Sequence, residues 1–428
     1  MIERSKHILK SLIRSSQIFS SLESKNYRLY FTGQSISLIG SWMQSIAMGW
    51  LVYRLTGSKF LLGFIGFTSQ IPSFILSPFA GVITDRFNRH KIMLWTQILF
   101  MVQAILLSAL VLFNVIQVWH IIVLSLFFGF ISAFDAPARQ SLVIDLIDKP
   151  ENLGNAIALN SAMFNGARLF GPAIAGILIA IVKEGPCFLI NALSYIAVIF
   201  ALYKIKIPVK VKKETKNMND GFKEGFAYTF GFKPIKILLI LLAVLSLIGL
   251  PYSTLMPAYA AETLKGSSHT YGFLMSATGA GAFLGAIYLA SRKTILGLGK
   301  IIAFSSVSFG FSLIGIAFCN YLGISLFILF LAGFFMITAI ASINTLVQTL
   351  TDEDMRGRVM SFYAMALMGM NPIGNLIAGS LASGIGISNT LLCGGIITIA
   401  AGTWFALVRP SLKKHTHSIY IKKGFVSE

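Results

Sequence analysis

Gly81-Val82-Ile83-Thr84-Asp85-Arg86-Phe87-Asn88-Arg89-His90-Lys91 is a short charged island between two long apolar runs. The run before it, 61–83, and the run after it, 92–113, are each long enough to cross a bilayer, which takes about 20 apolar residues. A link this short cannot fold into a domain. It turns the chain at a membrane face and holds charges there. Gly81 would let a neighbouring helix approach closely. Asp85 is placed to meet the positive N-terminus of another helix. Arg86, Arg89 and Lys91 suit an anionic cytoplasmic face.

The rest of the composition agrees with a membrane. Of 428 residues, 55% are hydrophobic and only 12% are charged, against roughly 25% charged in soluble domains; mean hydropathy is +0.76. A net charge of +19 in a soluble chain would suggest nucleic acid, but here the cations alternate with the apolar runs. They crowd into the N-terminal arm, into 86–91, into 204–236 and into the tail from Arg409. The intervening links hold only Arg54, Lys59, Lys183 and Lys265. That asymmetry places both termini in the cytoplasm and removes the case for a nucleic-acid partner. Cys187, Cys319 and Cys393 are read as inert buried thiols rather than a disulfide framework, with one pairing near the outer helix ends left open. The charged first 30 residues lack the apolar core of a cleavable signal peptide.

Twelve spans are predicted, near 30–53, 61–84, 92–113, 119–140, 153–182, 187–206, 235–260, 271–291, 300–319, 323–348, 356–383 and 388–408. Trp50, Trp95, Trp119 and Trp404 fall near their ends, as in an aromatic belt. Residues 1–28 form an N-terminal arm, either an interfacial helix or a disordered basic segment. A bundle over 29–206 and another over 235–408 flank a central loop, 207–234, and the tail is 409–428. Phe222, Phe226 and Phe230 in the loop predict a short helix lying on the membrane or packed under the bundle. The halves repeat: at an offset of 203, Gly154, Gly171, Ala175 and Gly176 correspond to Gly357, Gly374, Ala378 and Gly379.

Several residues stand out within the spans. Arg168 lies near the middle of the fifth span, where a charge costs roughly 2.5 kcal/mol or more, so it must face the interior and have partners. Gln34, Ser37, Ser41, Gln44 and Met48 recur on one face of the first span, flanked by Trp42; such a stripe serves either as a binding surface or as helix–helix glue. Asn165, beside Arg168, and Asn371 and Asn375 in the eleventh span are placed to line a cavity. Asp135, near the inner end of the fourth span, is read as a gate partner of Arg86 or Arg89, or else as a proton carrier. No carboxylate stands out at mid-span, and no P-loop, metal cluster or nucleophile–base pair is present. The chain is therefore not read as an enzyme, and no cofactor is expected.

The pattern G-x-x-x-D-R-x-x-R from Gly81 to Arg89 resembles the loop 2–3 signature of the major facilitator superfamily. The family's usual glycine is replaced by Asn88, which is expected to adopt the same left-handed turn. Gly171-Pro172-x-x-Ala175-Gly176 resembles the span 5 motif of antiporters in that superfamily, with Ala in one Gly position. Asn26-Tyr27-Arg28-Leu29-Tyr30-Phe31, Asp135-Ala136-Pro137-Ala138-Arg139-Gln140 and Asn155-Ala156-Ile157-Ala158-Leu159-Asn160-Ser161 extend the resemblance to the enterobactin-exporter-like branch. It implies an all-α membrane protein with twelve transmembrane helices in two pseudo-symmetric six-helix bundles. It also implies a monomeric inner-membrane exporter of a siderophore or drug-like small molecule, coupled to protons. Gly81, Asp85, Arg86, Arg89, Asp135, Gly171 and Pro172 would then serve in gating. An importer in the same fold, and a sensor or scaffold that moves nothing, are the alternatives.

Overall fold

The computed structural model describes residues 20–205, 218–292 and 294–422; the side chains at 81, 85, 86 and 413–422 are among those outside the description. The described residues are helical almost throughout and contain no strand. This is the solution a bilayer imposes, because backbone groups in hydrocarbon must be paired within their own segment.

Span 1 is Lys25–Thr56 and span 2 comprises Lys59–Thr68 and Ile71–Arg86. Spans 3 to 6 are Arg89–Leu112, Val118–Asp145, Leu153–Val182 and Gly185–Lys204. A linker helix, Met218–Gly231, precedes span 7, Lys233–Thr263. Spans 8 to 10 are Ser268–Ala290, Leu298–Ala317 and Leu322–Leu350. Span 11 comprises Arg356–Ala364 and Met370–Ile385, and span 12 is Ile387–Lys422. The bundle therefore has a linker end, with the span 2–3, 4–5, 8–9 and 10–11 connections, and a far end with the others.

Prolines shape the interruptions. Pro72 has no N–H for the Thr68 carbonyl, and span 2 breaks at Ser69–Gln70 just before it. Span 7 carries π turns at Leu245–Gly249 and Tyr259–Thr263, around Pro251 and Pro257. Span 11 carries one at Met365–Gly369, just before Pro372.

Spans 1, 5 and 6 pack together, as do 3 with 4 and 6, 8 with 10, and 9 with 10 and 12. Two seams join the halves, span 5 against span 8 and span 2 against span 11. Both are backbone-to-backbone. A Cβ on Gly176 would fall 2.8 Å from the Gly272 Cα, and one on Gly63 would fall 2.8 Å from the Gly379 Cα. Gly176 and Gly379 are equivalents in the internal repeat. Gly171 and Gly374 are equivalents too: the first lies against Ile39 and Trp42 of span 1, the second against Leu247 and Pro251 of span 7.

Three expectations change, and one left open is resolved. Asn88 is not left-handed; at φ −68° its backbone is extended, and its Oδ1 caps span 3 by accepting from the N–H groups of His90 and Lys91 at 3.0 and 3.2 Å. An Asn side chain supplies this cap, which a glycine cannot. Trp50 is not a belt residue; it stacks on Tyr271 of the other half, ring centroids 6.5 Å apart. The cysteines are all free; Cys187 and Cys319 are buried, but Cys393 is exposed. The linker helix packs against the bundle, with Phe226 and Phe230 both against Phe362 of span 11, whereas the side chain of Phe222 lies outside the described residues. Arg358 Nη1 pairs with Glu224 at 2.7 Å, and the Tyr228 hydroxyl donates to Asp352 at 2.9 Å. The N-terminal arm up to residue 19 also lies outside the described residues.

Within the second half, the backbone of span 8 at Gly281 meets the Phe330 carbonyl, and Gly333 of span 10 meets the Thr278 carbonyl. Gly333→Ala inserts a methyl where a carbonyl already sits. Overpacking of this kind costs about 1–3 kcal/mol. The midpoint of thermal unfolding in detergent should fall by at least about 2 °C; an unchanged midpoint would show that this seam has slack.

Candidate functional site

A cavity of about 270 Å³ lies between the halves. Its walls come from spans 1, 2, 3 and 4 on one side and spans 7, 8 and 11 on the other. The polar wall is made of amides and hydroxyls: Ser41, Gln44, Gln70, Gln103, Thr254, Asn371 and Asn375 among them. Trp42, Met48, Phe128, Tyr271 and Met275 supply apolar and aromatic surface. Among the described lining residues there is no Asp, Glu, Lys, Arg or His.

Each wall amide is held by another element. Gln44 Nε2 donates to Gln103 Oε1 at 3.0 Å, Asn191 Nδ2 donates to Gln44 Oε1 at 2.7 Å, and Gln103 Nε2 reaches the Leu124 carbonyl at 3.3 Å. Spans 1, 3, 4 and 6 are thereby joined through one buried network, in which each side chain is oriented by its neighbour. Gln70 projects from the break that Pro72 makes in span 2. Its Oε1 accepts from Asn371 Nδ2 at 2.9 Å, a hydrogen bond between the two halves. Asn371 Oδ1 is buried without a partner. One turn on, Asn375 Oδ1 accepts from the Thr254 hydroxyl at 2.8 Å.

Ser41, Trp42, Gln44, Asn371 and Asn375 line this cavity. Gln34, Asn165 and Arg168 do not line it. Gln34 is buried deeper among the helices of its own half, with Oε1 unpaired, because the stripe on span 1 runs on past the cavity into helix packing. Asn165 is half-buried and turns its amide back to the Ser161 carbonyl at 2.8 Å. Arg168 sits behind the wall, its guanidinium carbon 5.7 Å from the ring centroid of Trp42. Pro172 offers the Arg168 carbonyl no donor, and that carbonyl lies against Gly279, 2.5 Å from where a Cβ would be. The backbone of this turn therefore meets span 8, while the guanidinium lies against Trp42 of span 1 and interacts electrostatically with Tyr252 of span 7. Among the described residues no carboxylate pairs with it.

Asp135 is 5% exposed and does not meet Arg89. Its Oδ1 accepts from the Thr96 hydroxyl at 2.9 Å and from Gln97 Nε2 at 2.7 Å, and Arg139 Nε lies 3.7 Å from Oδ2. Arg89 pairs instead with Asp145 at 3.5 Å. Asp135 faces span 3 across the bundle, and its cation stands one helical turn on, while Asp145 stands nearer the link that carries Arg89. The side chains of Asp85 and Arg86, and the surroundings of Gly81, lie outside the described residues. Gln70, Gln103, Asn191 and Thr254 are the site residues that sequence reading missed. A lone amide inside an apolar run is the signal that could have found the first three, since such a group needs a partner.

The far end of the cavity is closed across the halves. Trp50 stacks on Tyr271, and the Tyr53 hydroxyl donates to Glu262 Oε1 at 2.8 Å. Lys59 Nζ lies 2.9 Å from Glu262 Oε2. The Gly176–Gly272 and Gly63–Gly379 contacts complete the seal.

A helical membrane bundle built from two related halves, with a polar cavity between them closed at its far end, is a transporter of the major facilitator superfamily rather than an enzyme. Residues 16–420 match the sequence profile of the transmembrane secretion effectors, and the chain belongs to that family. It is 29% identical to the staphyloferrin A transporter of Staphylococcus aureus, over 90% of this chain and 97% of that protein. It is 22% identical to macrolide efflux protein A of Streptococcus pyogenes, over 91% and 97%. Its fold resembles that of a POT family transporter solved with a thioalcohol-conjugated peptide, at a TM-score of 0.73 and 13% identity, over 90% of this chain and 96% of that one.

A Cβ on Gly171 would fall 2.5 Å from the Trp42 Cβ. Gly171→Leu should displace Trp42 from the cavity wall while leaving the helices inserted. Binding of a transported compound to the purified variant should weaken at least about tenfold, the scale of 1.4 kcal/mol. Unchanged binding would show that the spacing of spans 1 and 5 does not shape the cavity.

Proposed function

We propose that the protein is a secondary active exporter of a small amphipathic molecule, siderophore-like or drug-like, working by alternating access in the cytoplasmic membrane. The observation that carries this reading is the cavity between two halves whose far end is closed by contacts between those halves. Rocking about backbone seams that hold no bulky side chains would open that end and close the other. The mixed wall of amides, hydroxyls, aromatic rings and methionine suits a compound with both hydrogen-bonding and apolar surface. The names of the relatives, a siderophore transporter and a macrolide efflux protein, support the substrate class. The excess of Lys and Arg on the linker-end connections supports a cytoplasmic location for that end and both termini.

Protons are the coupling ion in this reading, and Asp135 is their carrier. It is a buried carboxylate within a span, with two donors on one oxygen and an arginine near the other, so gain of a proton would rearrange three partners at once. Arg168 holds Trp42 against the cavity instead of touching the substrate. A guanidinium over an indole is a favourable contact and keeps its charge at any accessible pH.

Inverted membrane vesicles test this. Vesicles containing the protein should accumulate a siderophore or macrolide probe when a pH gradient is imposed, and Asp135→Asn should remove the gradient dependence while probe binding persists. Uptake only in right-side-out vesicles would make the protein an importer, and absence of movement in either orientation across the probe panel would end the exporter reading. Arg168→Ala and Trp42→Ala should each weaken binding, and the double variant should be little worse than either alone. Additive losses would mean that the two side chains act separately.

A further inference from the structure

Among the described residues, seven ion pairs are recorded, and the Lys59–Glu262 pair is the one that joins the two halves. Glu262 takes two partners from the opposite half, Tyr53 in the last turn of span 1 and Lys59 in the first turn of span 2. Arg54, the neighbouring cation, does not compete for it. Arg54 is committed to Glu184 through Nε and Nη2 at 2.7 and 3.0 Å, inside its own half.

Helix ends make the pair interdependent. Glu262 lies in the π turn that ends span 7, where the partial negative charge of the helix terminus disfavours an acid. Lys59 is the first residue of span 2, where the partial positive charge disfavours a cation. Each charge sits at the end of its own helix that suits it least, and each is stabilised by the other only while the far end is shut. Opening that end leaves both at those termini without that partner. Because each charge meets its own helix terminus in both states, the pair favours the closed far end through the contact itself.

We propose that Glu262, held by Lys59 and Tyr53, is the latch of the outer mouth, setting how readily the cavity opens outward. This rests on the alternating-access reading above. The test needs no substrate. In the full chain carrying Cys393→Ser, Ser45→Cys places a thiol on the cavity wall; the remaining cysteines are buried. A membrane-impermeant maleimide is applied to intact cells, so that only outward opening exposes the thiol. Glu262→Gln and Lys59→Gln should each raise the labelling rate about fivefold or more, the lower end of a conformational coupling. The exchange Lys59→Glu with Glu262→Lys should restore slow labelling, which a merely structural role for either residue would not do. Gly176→Leu, which wedges the span 5–8 seam, serves as the forced-open reference.

Rapid labelling of that reference with parental rates in both single variants would overturn the latch and leave alternating access intact. A silent reference would overturn alternating access itself. Rapid labelling of the charge-exchanged protein would also overturn the latch, since it would show that pairing is not what closes the mouth. Labelling of the buried Cys187 and Cys319 reports loss of fold in any one variant, and the other single variant then carries the reading.

Discussion

Close approach of two backbones without intervening side chains is the contact on which the remainder depends. Lipid tails are as apolar as leucine, so helices in a bilayer gain little by hiding leucines from them and associate through tight packing instead. Gly176 with Gly272 and Gly63 with Gly379 supply that packing between the halves. Because no side chains interlock there, the seams bind the halves without fixing them in one orientation. In the proposed alternating-access cycle, directional contacts would decide which orientation prevails: Gln70 with Asn371 at the cavity, and Tyr53 and Lys59 with Glu262 at the far end.

Prolines and glycines cooperate in this scheme. Pro172 removes the i+4 donor of the Arg168 carbonyl, and Pro251 removes that of Leu247. Each freed carbonyl lies against a glycine, Gly279 in the first case and Gly374 in the second. At these two turns the irregular helix is accommodated where its neighbour lacks a side chain. The irregularity in span 2 has a different use, for it points Gln70 at the other half.

The fold was legible because the bilayer imposes long apolar runs and because the charged link at 81–91 has few other uses. The internal repeat was also informative: Gly176 and Gly379, matched by spacing alone, prove to supply one glycine to each seam. The site was legible on span 1 and span 11, where polar residues recur at helical spacing. What stayed hidden was pairing at long range. Nothing local tells Asp135 that its partners are Thr96, Gln97 and Arg139 rather than Arg89, or places Trp50 on Tyr271 instead of at the lipid boundary. Arg168 is unusual in any membrane span, yet nothing local in the sequence places it over Trp42. The glycine that Asn88 replaces suggests a backbone role, whereas the Asn88 side chain acts as a helix cap.

The uncharged cavity wall has an electrical meaning. A charge carried across a membrane potential changes its energy by about 2.3 kcal/mol per 100 mV. The wall residues described around the cavity carry none, so tilting them through the field moves amide and aromatic dipoles alone. The voltage across the membrane then acts on whatever ions or charged solutes travel with the cycle, and scarcely on the walls that enclose them.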